Sequence, residues 1–125
     1  MKVYLGDIGS TRGNKTQMPM ESGYLQREKF NIERRARMAS GRLVTDIVAV
    51  KRRFIFIFPY MLADDFDIWD AQYMPDRFRE IEIEKQDETY EKVAVEFGPN
   101  YGAQRYMTRR NKWVYSGVQF AFEEV

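Results

Sequence analysis

Neither cysteine nor histidine occurs among the 125 residues of this chain. Without cysteine there is no disulfide, no thiolate nucleophile and no ordinary structural zinc site. Without histidine the commonest general base near neutral pH is missing, and so is the commonest transition-metal ligand. A long apolar run is missing too. The longest, Phe54 to Ala63, is interrupted by Pro59 and reaches about half of what a membrane span requires. The start, Met1 to Asp7, meets an acid before any signal-like apolar stretch can form. These absences lead us to expect a soluble protein, made in a reducing cytoplasm, that binds no cofactor or metal and is not an enzyme.

What is present is a folded composition. Hydrophobic residues make up 44%, charged residues 31% and aromatic residues 15%, which excludes a disordered chain and leans toward sheet. The length fits a single domain over residues 1–125 with a core large enough to need no staples. Net charge is only +1, but its distribution is uneven. Arg27 to Arg53 holds nine bases against three acids, and Asp64 to Glu96 holds twelve acids against four bases. Such a chain suits head-to-tail contact between identical copies, or else the two segments pair within one subunit.

Residues 2 to 8 predict a short first strand. Residues 6 to 23, with four glycines and Pro19, exclude a helix or a central strand and predict a long loop or arm that orders on a partner. Tyr24 to Glu33 predicts a strand, with Glu33 to Met38 as an alternative charged turn and Ala39-Ser40-Gly41 as a turn. Arg42 to Phe58 predicts a third strand ended by Pro59, and its Phe54-Ile55-Phe56-Ile57-Phe58 run needs cover on both faces. Leu62, Phe66, Trp69 and Tyr73 share one helical stripe, so an amphipathic helix is expected over about 62–74, with Asp64 or Asp65 as its cap. Arg79 to Lys85 and Tyr90 to Phe97 read as a hairpin around Gln86-Asp87-Glu88-Thr89. Gly98 to Gly102 breaks the pattern into a polar loop reaching Lys112, before a last strand from Trp113 to Phe122. The expected class is α+β, a mainly antiparallel sandwich or half-barrel with one helix.

Few residues suggest chemistry. Asp64, Asp65, Asp67 and Asp70 lack the central glycine of a calcium loop and lie on an amphipathic helix, so they fit a solvated helix face with acids at its N-terminus. Glu80, Glu82, Glu84 and Glu96 could supply a carboxylate pair, but alternating glutamates are the usual outer face of a half-buried strand. Gly6, Gly9 and Gly13 match no phosphate-cradling spacing. The basic segment 27–53, with Tyr24 or Phe30 as stacking rings, leaves a nucleic-acid-binding accessory protein as the alternative function. The near-neutral total charge and the acidic segment argue against it. The candidate partner-binding residues are Arg34, Arg35, Arg37, Arg42, Arg12 and Lys15.

Four stretches carry a family resemblance. They are Arg37-Met38-Ala39-Ser40-Gly41-Arg42-Leu43-Val44-Thr45-Asp46, Ala49-Val50-Lys51-Arg52-Arg53-Phe54, the helix starting near Leu62, and Trp113-Val114-Tyr115-Ser116-Gly117-Val118 leading to Phe122-Glu123-Glu124. In this order the chain resembles the short tail-region proteins of long-tailed phages and prophages of Gram-positive bacteria. Thr45 stands where the pattern leads one to expect arginine, and the arm before Tyr24 has no counterpart. The resemblance implies a virion structural protein similar to the tail-tube and distal-tail building block, assembled in the host cytoplasm. It implies a homo-hexamer or higher ring contacting other tail proteins, with no membrane or nucleic acid as expected partner. Within the tail it favours a distal-tail or baseplate position, with a tube subunit or a head–tail connector as alternatives.

Overall fold

The computed structural model describes residues 1–37, 43–107 and 112–125, with side chains at 31–49 and 99–111 left aside. The elements in chain order are β1 (Val3–Gly6), a 3-10 turn (Arg12–Asn14), β2 (Thr16–Met18), β3 (Tyr24–Arg37), β4 (Leu43–Leu62), α1 (Ala63–Ala71), β5 (Arg79–Glu84), β6 (Tyr90–Met107) and β7 (Trp113–Glu124). The strands form one antiparallel sheet in the order β2-β1-β5-β6-β7-β4-β3. The α+β reading therefore stands, in its half-barrel form.

The alternation of each strand decides what lies inside. Val3 and Leu5 of β1, Ile81 and Ile83 of β5, Val93 and Val95 of β6, Phe120 and Phe122 of β7, and Phe54, Phe56 and Phe58 of β4 all bury their side chains in one cluster. Burying each large ring contributes roughly 1.5–3 kcal/mol of transfer free energy. The sheet curls around this cluster: Arg27 on β3 reaches Glu91 on β6 at 2.5 Å, although β4 and β7 lie between them in the ladder.

The concave side is closed by α1, which inserts Phe66 and Trp69. The Trp69 ring stacks on Phe120 at 4.7 Å and tilts against Phe56 at 5.3 Å. Its Nε1–H donates to the Pro19 carbonyl at 2.9 Å, fastening the β2–β3 connection to the helix. The helix is shorter than its expected 62–74. Leu62 is still extended (φ −62, ψ 146) and stands at the N-cap without a side-chain cap bond. Asp64 and Asp65 sit in the first turn, where they favour the helix through its dipole instead of capping it. Tyr73 lies past the helix end, its ring edge-on to Phe97 at 4.9 Å.

Three expected breaks are not breaks. The segment Glu33 to Arg37 continues β3 and does not turn, while the expected turn at Ala39-Ser40-Gly41 lies outside the described residues. Strand β4 runs through Pro59 to Leu62. The pairs on either side, Phe58–Val118 and Tyr60–Ser116, leave Pro59 opposite Gly117, whose φ of 61 marks an irregular spot in the partner. The β3 pairing has already ended at Tyr24–Ile57, so that flank makes no demand on the missing N–H. Strand β6 likewise continues past Gly98 to Met107. Gly98, Pro99 and Asn100 lie between the Phe97–Phe122 and Tyr101–Phe120 pairs, against Ala121 alone. That bulge absorbs the glycine and proline without ending the strand.

Candidate assembly surfaces

Residues 6–23, expected as an arm that orders on a partner, fold back on their own subunit. Strand β2 pairs with β1 through Val3–Met18, Tyr4–Gln17 and Leu5–Thr16. On the outer face of β5, Glu80 and Glu82 point away from the core, and Lys15 lies over them. Its buried ammonium sits 2.8 Å from Glu80 and 3.1 Å from Glu82, and donates to the Ser10 carbonyl at 2.6 Å. Glu82 is itself fully buried. Neither of its carboxylate oxygens receives a hydrogen bond of good geometry among the described residues, so Arg12 at 3.7 Å and Lys92 at 3.8 Å add charge alone. Burial works against the Lys15 charge, but the two carboxylates outweigh it and hold its pKa above the ordinary lysine value. The hydrogen bond from Lys15 holds Glu80 below the ordinary carboxylate value.

Two more residues complete this fastening. Arg12 lies over the Tyr90 ring at 3.6 Å, a geometry that favours the cation. Arg79 is buried, donating from Nε to the Gly6 carbonyl at 3.2 Å and from Nη2 to Gln72 at 2.7 Å, with Nη1 against the Met74 sulfur. It ties β1 to the segment after α1. Arg79 drew no notice in the sequence, because an arginine at a strand start looks like surface.

The opposed charge segments meet, in part, within one subunit. Arg27 and Arg52 both pair with Glu91, and Arg52 also pairs with Glu124 at 2.6 Å. Arg53 pairs with Glu123 at 2.9 Å and Glu28 at 3.5 Å. Burial alone would raise the Glu91 pKa, but Arg27 and Arg52 outweigh it and the value falls. Of the candidate partner residues, Lys15 is consumed in the buried ion cluster on the outer face of β5 and Arg12 is half-engaged on Tyr90. Arg34, Arg35 and Arg37 sit on β3, at register positions opposite Asp46, Thr45 and Leu43. Arg42 lies outside the described residues.

Backbone edges form the other surface. Strand β3 is the last strand of the sheet, and β6 pairs with β5 only from Tyr90 to Val95. Among the described residues, the four strands β6-β7-β4-β3 are therefore flanked by two unpaired edges, β3 itself and the later half of β6. Beyond the Arg53–Glu123 pair, β3 is the sole strand neighbour of β4 among the described residues, so the two project as a ribbon. Among the described residues no three metal-ligating side chains converge, and no helix is long and apolar enough to cross a membrane.

No family model and no curated protein matches the chain. Among solved structures it is similar in fold to a chain of "Tail of empty GTA particle computed with helical refinement, C6 symmetry". The TM-score is 0.54 at 8% identity, covering 100% of this chain and 90% of that one.

Proposed function

We propose that the chain is a structural subunit of a phage-type tail, working in the virion as a six-fold ring of identical copies. The ring closes when the β3 edge of one copy pairs with the later half of β6 in the next. The observation that carries this is the four-stranded segment β6-β7-β4-β3 with, among the described residues, an unpaired edge on each flank, β3 on one side and the later half of β6 on the other. Its strands alternate in direction, so β3 of one copy and β6 of the next meet antiparallel and the alternation continues around the ring. The two free stretches are offset along the sheet, and closure of a barrel requires such a stagger. Each ring also removes exposed edges that would otherwise invite disordered pairing. The similar chain belongs to a tail with C6 symmetry refined helically, which supports repeated rings and hence a tube position over the distal-tail or baseplate one. In this role the partners are further copies and neighbouring tail proteins, and the chain is architectural and not catalytic.

Electron microscopy of the purified full chain tests the proposal. Rings with a central opening and six-fold averages, alone or stacked, are the expected result. Single subunits at every concentration would overturn it.

A further inference from the structure

We infer that a lateral row of charges across the sheet fixes the register in which neighbouring copies of one ring join, Arg34 on β3 of one copy meeting Glu96 on β6 of the next. The inference rests on the ring reading and deepens it by naming the contact that sets the stagger.

The ladder lines up four charged residues on the face turned away from the core. Glu28 on β3 stands opposite Arg53 on β4, Arg53 opposite Glu123 on β7, and Glu123 opposite Glu96 on β6. One cation in this row serves three carboxylates. Arg53 lies 2.9 Å from Glu123 and 3.5 Å from Glu28, whereas the exposed Glu96 has no ion-pair partner among the described residues. Like charges directly opposite each other on adjacent strands are destabilising, so Glu96 beside Glu123 works against the isolated subunit. Local conflicts of this kind gather at functional positions. Glu96 has such a position: it follows Val95, the last β6 residue paired with β5, and opens the free edge.

Both ends of the row are acids. A neighbour joining without stagger would set its own Glu28 beside Glu96, and that register is disfavoured. Because β3 and β6 meet antiparallel, laying the free stretch of β3 along the free stretch of β6 carries the other end of β3, Glu33 to Arg37, to Glu96. Arg34 lies six residues on from Glu28, an even step that keeps it on the same face of the strand. The register shift after Ile32 does not disturb this count, since the extra residue, Val48, is on β4. Glu33 and Arg35 fall on the opposite face. Asp46 stands opposite Arg34 in its own copy, so the joined row sets Arg34 between two carboxylates, Asp46 on one flank and Glu96 of the next copy on the other. An arginine, with five donors, can serve both. The small cavity beside Glu96 is lined by Pro75, Asp76, Arg77 and Phe78; its acid and its base offset each other and leave the charge of Glu96 uncompensated.

The cysteine-free full chain allows a test in two arms. In the first, Glu96→Arg and Arg34→Glu, each checked for native circular dichroism, are followed by sedimentation. Each should need at least about tenfold more protein than the parent to form rings, and Glu96→Arg/Arg34→Glu should regain the parent's threshold. Glu96→Gln in the dispersed state should keep or raise Tm, which separates a lost contact from a damaged fold. In the second arm, Arg34→Cys mixed with Glu96→Cys should give a mixed disulfide dimer on oxidation of assembled particles, and Glu28→Cys mixed with Glu96→Cys should not. Four results overturn the inference and leave the ring reading standing: rings from Glu96→Arg at the parent's threshold, a double variant no better than the singles, a Tm of Glu96→Gln below the parent's, or a cross-link from Glu28→Cys with none from Arg34→Cys. A parent chain that stays as single subunits overturns both.

Discussion

Replacing Lys15 by methionine removes the buried cation at the centre of the cluster on the outer face of β5. The ammonium lies 2.8 Å from Glu80 and 3.1 Å from the fully buried Glu82. Breaking a buried ion pair from one side costs about 3–5 kcal/mol, because the remaining charge is left without its partner. Here only one layer of chain covers the cluster, and Arg12 and Lys92 remain within 3.8 Å of Glu82, so the loss should be near about 2–3 kcal/mol. For a chain of this length that is a drop of roughly 8–12 °C in Tm, read by thermal denaturation at pH 7. The double variant Lys15→Met/Glu82→Leu should regain most of it, since no unpaired carboxylate is then buried. The sign of the pH dependence follows from the shifts. Glu80, held low, contributes stability above the unfolded value of ~4.3, which is lost as pH falls through its folded value. Lys15, held high, contributes fully below the unfolded value of ~10.4 and loses it as pH rises through its folded value. The deficit of the single variant should shrink in acid, where the parent chain itself loses the contribution of the Lys15–Glu80 pair. A Tm change below about 3 °C, or a deficit that grows in acid, would refute the reasoning.

Other substitutions probe separate parts of the structure. A Cβ at Gly23 would lie 2.2 Å from the Phe58 ring, whose side chain is fully buried, so Gly23→Ala should destabilise by about 1–3 kcal/mol in urea; an unchanged midpoint would contradict this packing. Trp69→Phe removes the donor to the Pro19 carbonyl and should cost about 1–3 kcal/mol, with loss of near-ultraviolet dichroism; retention of both would show that the tether is immaterial. Asp65→Asn should raise Tm at pH 7, because burial, Glu21 and Asp64 disfavour the charged form. That gain should vanish as acid protonates Asp65 in the parent chain, and a gain that persists there would have another cause.

Much of the architecture could be read from periodicity. The alternation of Ile81 and Ile83 against Val93 and Val95 announced the β5–β6 hairpin, and the spacing of Phe66 and Trp69 announced the face of α1. Ends of elements were less legible, because they depend on what lies across the ladder. Pro59 interrupts nothing where β3 no longer flanks it, and Gly98-Pro99 bulges where β7 pairs with β6 on either side. The fastening of residues 6–23 was illegible for a similar reason. Lys15 and Arg12 sit in a polar, glycine-rich stretch, and only the folded sheet brings Glu80, Glu82 and Tyr90 beneath them. Charge patterning was half informative: it separated basic from acidic segments, but Arg27–Glu91 and Arg52–Glu91 pair within the subunit.

Amide hydrogen exchange, comparing dispersed with assembled full-length chain, tests ring closure by strand edges most directly. The account predicts that β3 amides facing away from β4, and those in the later half of β6 facing away from β7, exchange freely in the dispersed chain and become protected on assembly. Assembled particles in which both edges still exchange as they do in single subunits would contradict it.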